Sequence, residues 1–537
     1  MGEFLSLDDP QRRGCLTPLA HASEPKQGSS MPPTQPGSDG GPVSVVPQAS
    51  VTPPLQALLL CAHPPAADPR VFWVAEGAAA DLLVHILGVG PADSPPVPAH
   101  TRRGGLTLTL PRQDSETWRE RTQPGAAREA LERLRGLARM SAAELEALTG
   151  KTVSPARVPV FNWQCRHLLS SAETLLSGAL HARGHQVLIA ADFDALIAAL
   201  ALKRLSDGAV KVLYDAHEFW PTSLGPDTSD WELDIWFSFE RALLAEVDAA
   251  ISVSPPLADH MTAFYGYRFD AVPNCEPLAS GRFEPRPRAA AGQDCIFLFQ
   301  GNFMPGRGME LLLDAWPHTP ANAILELRGP DRPYKSSLME RARASGMLGK
   351  RVFFPEAVAE SELVAAASAA DVGLVPYEPT TLNSRYCSPN KVSQYMAAGL
   401  PVLSNRLDFV SAILHAAQGG LSVDFSDPAA LIAAVSAYAG NPQGRRATGQ
   451  HGRAYFEATF HWEKQSEPFY TALRGLPAGP AAPERFDFHL TDSAGQNKTM
   501  KQYLLRSATN IWHHLPPGLK NRFRPLASRL LNRIRFR

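Results

Sequence analysis

Twice along this chain, short apolar runs of strand length alternate with stretches of helical periodicity, and a chain that does this has few folds open to it. In the first set, apolar runs at 55–61, 82–87, 106–110, 187–190, 211–214 and 249–253 read as buried strands. The segments between them read as helices: from Asp68-Pro-Arg to residue 80, then 121–148, 161–183 with Gly184 as its stop, 194–205 and 232–244. The second set has strands at 295–300, 324–327, 352–354, 371–377, 401–404 and 421–424, with a helix at 428–439. Val272-Pro-Asn-Cys-Glu-Pro277, followed by Pro285, Pro287 and Gly292, separates the two sets. Such alternation predicts an α/β protein of two tandem, doubly wound, Rossmann-like domains, each a parallel sheet covered by helices. The expected order is a disordered leader over 1–54, a first domain over 55–275 and a linker over 276–292. A second domain over 293–460, a returning helix over 461–475, a linker over 476–497 and a basic amphipathic tail over 498–537 follow.

Within the second set, residues 388–402 read Ser-Pro-Asn-Lys-Val-Ser-Gln-Tyr-Met-Ala-Ala-Gly-Leu-Pro-Val. Ser388 suits a helix N-cap and Pro389 the first helical position. Gly399 suits the C-terminal cap, and Pro401 cannot extend the helix. A strand, a long loop, a short helix and a second strand result. In a doubly wound sheet that loop lies at the carboxyl end of its strand, where ligands bind, and the helix turns free N–H groups toward the crevice. The same pattern also builds an ordinary crossover.

Two further strand ends carry polar groups. Gln300-Gly301-Asn302 follows a strand, and Pro305-Gly-Arg-Gly308 precedes a helix, so a ligand could approach bare backbone beside the fixed fork of Arg307. These residues form neither the dinucleotide fingerprint nor a Walker loop, which removes support for hydride transfer and P-loop hydrolysis. Tyr214-Asp-Ala-His-Glu-Phe219 places Asp215, His217 and Glu218 at the carboxyl end of the first sheet. They suit a ligand site, and equally a turn cap with a hydrogen-bonded structural histidine.

Cys15, Cys61, Cys165, Cys275, Cys295 and Cys387 show no CxxC pair and no histidine at zinc spacing, so neither a disulfide framework nor a metal site is expected. The lack of a long apolar run and of a signal-peptide core predicts a cytoplasmic protein. Net charge is −1, but ten of the 52 basic residues follow Asp492 with no acid among them, leaving 42 against 53 in the rest. From Pro525 onward Leu526, Leu530, Leu531 and Ile534 share one helical face and arginines the other. This reads as docking on an anionic membrane at the inner face of the plasma membrane, or as a tail that stays solvated or folds onto the acidic body. The body has no interleaving of basic and aromatic residues, so no nucleic-acid partner is expected.

Taken in order, several pieces resemble a family 4 glycosyltransferase of the GT-B fold, over roughly residues 55–473. They are Asp68-Pro-Arg70 with Glu76, Ala191-Asp-Phe-Asp194, Tyr214-Asp-Ala-His-Glu218, Val272-Pro-Asn274 and Phe299-Gln-Gly-Asn302 with Arg307-Gly308. Val247-Asp-Ala-Ala-Ile-Ser-Val253, Ser388-Pro-Asn-Lys391, Tyr395-Met-Ala-Ala-Gly399 and His461-Trp-Glu463 complete the set. The resemblance implies a retaining, metal-independent enzyme without a cofactor, moving a sugar from a nucleoside diphosphate sugar to a sugar or lipid-linked acceptor across the cleft. It implies Gly301, Arg307 and Lys391 on the donor diphosphate, Gln394 on the nucleotide ribose and His217 at the reacting sugar or acceptor. Asn302, Ser388, Asn390 and Glu218 become further candidate contacts. Two departures matter. Asn302 replaces the family's arginine, and Gln394 replaces the later of its paired glutamates, with Tyr386 at the earlier position. Gln394 keeps a hydrogen-bonding group but loses the charged acceptor, so in a working enzyme Gln394→Glu is expected to tighten the donor or raise turnover. The runner-up is a non-catalytic homologue that kept the fold as a binding or scaffold subunit.

Overall fold

The computed structural model describes residues 54–476, except 115–116, 179–184, 207, 226 and 285–293, together with two-residue strands at Leu490–Thr491 and Asn497–Lys498. The expectations for the leader, the Gly184 stop, residues 285–292 of the first linker, most of the second linker and nearly all of the basic tail lie outside the described residues.

The first sheet holds β1 (Leu55–Cys61), β2 (Leu82–Gly90), β3 (Val97–His100), β4 (Leu106–Pro111), β5 (Val187–Ala191), β6 (Lys211–Ala216), β7 (Ala249–Ser252) and β8 (Phe269–Ala271). Their spatial order is β3-β4-β2-β1-β5-β6-β7-β8, parallel throughout except for the antiparallel β3–β4 pair. β1 and β5 are buried along almost their whole length, as strands covered by helices on both faces must be. β3 is exposed along its length and has no apolar run for a sequence reading to find. The helix expected over 121–148 is broken into Ala126–Leu137 and Ala142–Thr149, because Ser141 forms a capping box with Glu144 and restarts it.

The second sheet holds β9 (Cys295–Gln300), β10 (Ala323–Arg328), β11 (Val352–Phe353), β12 (Val372–Val375), β13 (Val402–Asn405) and β14 (Gly420–Val423). All are parallel, in the order β11-β10-β9-β12-β13-β14. Strand order reverses between β1 and β5 in one sheet and between β9 and β12 in the other. These are the switch points where loops at the carboxyl ends part and leave room for a ligand.

After the second sheet the chain returns to the first. Trp462 packs its ring 5.8 Å from that of Trp73, and the Tyr470 hydroxyl donates to the Val74 carbonyl at 2.9 Å. Gly77 permits this approach, since a Cβ there would lie 2.6 Å from Trp462 Nε1. Arg474 and Asp81 close the contact with an exposed ion pair at 2.8 Å.

Candidate functional site

Arg307 and Lys391 converge on Tyr377. Arg307 is carried by the turn after β9, whose Gly308 has φ +69°; a Cβ there would collide with the Pro376 carbonyl. Lys391 is the second residue of the helix Asn390–Ala397. The Arg307 guanidinium lies over the Tyr377 ring, 4.0 Å from its centre, and Lys391 Nζ donates to the Tyr377 hydroxyl at 2.9 Å. Burial would raise the Tyr377 hydroxyl, but the two cations outweigh it and hold its pKa below the ordinary phenol value. Neither cation forms a salt bridge among the described residues. Gly301, at φ +135°, lets Lys391 cross the strand end, because a Cβ there would sit 2.6 Å from Lys391 Nζ. Two half-buried cations, bare backbone at Gly301 and a helix N-terminus together make a place for an anion.

The structure shifts one element of the sequence reading here. The helix starts at Asn390 with Pro389 as its cap residue, and Ser388 is not the cap. The Ser388 hydroxyl instead accepts from the Asn274 N–H at 3.0 Å, and Ser393 Oγ accepts from the Glu276 N–H at 2.9 Å. Both serines thereby pin the segment that joins the domains. Asn302 is exposed and Asn390 half-buried at the crevice.

Gln394 is one helical turn further on and is 3% exposed. Its amide nitrogen donates to Glu276 at 3.1 Å and to Glu360 at 3.4 Å, while its oxygen accepts from Gln300 Nε2 at 3.1 Å. Burial pushes Glu276 up to about 7 and also raises Glu360, against which Lys391 pulls downward. Gln394 thus bridges two carboxylates, and a glutamate in its place would add a third. This geometry sets a competing expectation for Gln394→Glu, a loss of stability where three carboxyl groups would meet.

Across the cleft, His217 is surrounded by acids. Its Nε2 is 3.2 Å from Asp215, and its Nδ1 is 3.1 Å from Asp68 and 3.4 Å from Asp192. Burial opposes its charge, but the three carboxylates win and raise its pKa well above the ordinary value. Acids beside both ring nitrogens favour the charged form of His217, which suits holding a charge better than accepting a proton. Arg70, 1% exposed, clamps Asp215 through Nε and Nη2 at 2.9 and 2.7 Å, and its Nη1 donates to Val272 O and Asn274 Oδ1, each at 2.9 Å. Asp215 is held below its ordinary value: burial would raise it, and Arg70 and then His217 overcome that. Asp192 goes the other way, up to about 8, because burial and the neighbouring acids outweigh His217. Its φ of +63° is rare for a residue with a side chain, and the His217 N–H donated to its Oδ1 at 2.9 Å helps hold it there.

The two halves meet at this place. Glu218, beside His217, adds to the charge that stabilises the Arg307 guanidinium. Phe219 N–H donates to Asn383 Oδ1 at 3.0 Å, and the Ser254 hydroxyl to the Tyr386 carbonyl at 2.5 Å. Tyr386 thus serves the domain contact. Gly301, Arg307 and Lys391 are brought together, Glu218 lies near enough to act on Arg307, His217 is held by its own acids, and Gln394 and Ser388 are hydrogen-bonded within the protein. Tyr377, Glu276, Glu360 and Asp192 were absent from the sequence-derived site. Tyr377 reads there as the end of a buried strand, and the three acids stand far apart in sequence without a spacing that joins them.

Residues 294–441 match the family model described as "Glycosyl transferases group 1". Over those residues the second domain is similar to the group 1 glycosyl transferases. Sucrose-phosphate synthase from Thermosynechococcus elongatus superposes with a TM-score of 0.56 at 19% identity, covering 78% of this chain and 98% of that one. The N-terminal domain of Candida albicans trehalose-6-phosphate phosphatase gives 0.53 at 10% identity, over 80% and 98%. Anabaena HepE, solved in complex with UDP and glucose, gives 0.52 at 12% identity, over 79% and 100%. No curated protein sequence matches the chain significantly. With both Rossmann-like domains and the returning helices in place, the fold is GT-B. No helix among the described residues is long and apolar enough to cross a membrane.

Proposed function

We propose that this glycosyl transferase takes a sugar from a nucleoside diphosphate sugar bound against the second domain and passes it to an acceptor held by the first. The observation that carries this reading is the pair Arg307 and Lys391, which share Tyr377 and meet no compensating salt bridge among the described residues. A diphosphate placed there receives two charge-assisted contacts, bare backbone at Gly301 and the helix N-terminus. As the sugar leaves, negative charge grows on the diphosphate, and fixed cations stabilise that state without reorganising. In this reading no metal is needed, the anomeric configuration is retained, and His217 presents a fixed positive charge to the reacting sugar from the opposite wall. The UDP and glucose bound in the Anabaena relative make a UDP-hexose the first donor to try.

The test is calorimetric titration of UDP into wild type, Arg307→Ala and Lys391→Ala. Each variant is expected to lose about 1.5–3 kcal/mol, roughly ten- to 150-fold in affinity. Added chelator should leave wild-type binding and turnover unchanged. Equal UDP affinity in all three proteins would remove the donor site from this crevice. The engagement of Gln394 with Glu276 and Glu360 favours a second reading, a binding subunit without turnover. Hydrolysis of one nucleotide sugar by wild type, lost in Arg307→Ala, decides against it.

A further inference from the structure

Four strands lie at the edges of the two domain sheets, and three of them carry a device that keeps a further strand from adding. β3 contains Pro98, β8 contains Asp270, and β11 has only two residues and follows Lys350 and Arg351. The fourth, β14, reads Gly-Leu-Ser-Val, with neither proline nor charge. None of its residues is buried, and Leu421 is 42% exposed. The Val402 N–H donates to the Gly419 carbonyl, and this fixes the ladder. Leu421 turns its backbone groups toward β13, so Gly420 and Ser422 turn theirs away from the sheet. Neither of those two N–H groups has a hydrogen-bond partner among the described residues.

Beside the amino end of β14 a cavity of about 550 Å³ opens between the strand and the helices Asp408–Ala417, Pro428–Gly440 and Pro442–Ala458. Gly420 and Leu421 line it, and so does Tyr438, which is 6% exposed. The Tyr438 hydroxyl is buried and makes no well-formed hydrogen bond among the described residues; burial raises its pKa against a pull from the Leu421 backbone. Asn441, also in the wall, accepts the Gly444 N–H at 2.9 Å through its side-chain oxygen, which leaves its amide nitrogen to donate. Arg445 is neutralised by Asp371 at 2.9 Å. No carboxylate is among the described residues that line the cavity. It offers donors and lacks an acceptor.

We infer that β14 joins two copies of this chain, paired antiparallel about a two-fold axis at Ser422, with Asp424 of each copy entering the cavity of the other. A two-fold axis makes the pairing antiparallel, and centring it on Ser422 sets Leu421 opposite Val423 of the second copy. Gly420 then faces Asp424 of the second copy, at the mouth of the cavity. A copy's own Asp424 lies about 13 Å along the strand from Gly420 and cannot serve its own cavity. The Ser426 hydroxyl and N–H donate to Asp424 at 2.6 and 2.9 Å and lower its pKa, so it arrives as a charged acceptor. The strand is thus complementary to itself, in apolar side chains at its centre and in acceptor and donors at its ends. β12 and β13 separate β14 from β9, so the pairing leaves the crevice of Arg307 and Lys391 open.

Sedimentation equilibrium of the full chain measures the association, and wild type should be a dimer at micromolar concentration. Leu421→Lys puts a charge on an exposed side chain of the edge and should weaken the dimer about tenfold or more, with the melting temperature of the dilute protein unchanged. Tyr438→Phe removes only the unpaired hydroxyl and should weaken the dimer as well. Ser422→Cys tests the register without depending on either variant. Residues facing each other across such an axis have Cα atoms about 5.5 Å apart, within disulfide reach. Oxidised glutathione should therefore cross-link Ser422→Cys into a covalent dimer and leave wild type free of one. A monomeric wild type, a dimer that Ser422→Cys does not cross-link, or equal association in Leu421→Lys overturns the interface. Equal association in Tyr438→Phe overturns the place given to Asp424.

Discussion

Replacing Asp215 by alanine should cost about 3–5 kcal/mol of stability, because it strands two buried cations at once. Arg70 would lose both bonds of its bidentate pair, and His217 would lose the carboxylate on Nε2. Chemical denaturation of wild type and variant, followed by a probe in the first domain, measures the loss. Adding Arg70→Met should recover part of it, since a buried ion pair exchanged for an apolar side chain is tolerated far better than half of one. A variant with Asp215→Ala alone that unfolds with wild type would show that the pair carries little.

The pH dependence of the same cluster has a definite sign. Asp215 has a lowered pKa, so its contribution is fully present above the unfolded carboxylate value near about 3.9 and is lost as pH falls through the lower folded value. His217 has a raised pKa, so its contribution is fully present below the unfolded value near about 6.5 and is lost as pH climbs through the higher folded one. Asp192 is raised to about 8, so folding binds a proton there and loses stability as pH rises from the unfolded carboxylate value toward 8. His217 and Asp192 therefore act in the same direction on the alkaline side, while Asp215 and Asp68, whose pKa is also lowered, lose their contributions on the acid side.

Legibility from sequence followed the range of the interaction. β1, β5, β9 and β13 are short buried runs bounded by turn residues, and local pattern is enough to reveal them. β3 is exposed and gains its place by pairing with β4, a contact invisible to a window of a few residues. Around the donor crevice, Gly301, Arg307 and Lys391 announce themselves because glycine and a nearby cation at a strand or helix end have a local meaning. Tyr377 has none. It becomes part of the crevice only when Arg307 and Lys391, 84 residues apart in sequence, close on it. Ser388 illustrates the converse. Its sequence position suits a cap, but tertiary structure offers the Asn274 N–H, and the hydroxyl takes that partner instead.

Gln394 is where local reasoning and tertiary structure disagree most, and Gln394→Glu separates them. In the native arrangement the amide nitrogen gives one hydrogen toward each of Glu276 and Glu360, which only an amide or a cation at that place can do. A carboxylate would face both oxygens instead, with little water to screen it. One of the three acids must then bind a proton, or the site must open. Either outcome is costly at neutral pH, and leaving a buried charge uncompensated amounts to about 3–5 kcal/mol. Because the remedy is a proton, the loss should be largest at about pH 8–9 and should shrink toward about pH 5, where a protonated carboxyl restores the missing donor. Melting temperatures of wild type and Gln394→Glu across that range measure the effect, and calorimetry with UDP runs beside them. Reduced stability on the alkaline side with weaker or unchanged UDP binding is the expected result. Should Gln394→Glu be as stable as wild type at about pH 8 and bind UDP more tightly, Gln394 faces the nucleotide after all. Glu276 and Glu360 would then have to find their hydrogen-bond donors elsewhere.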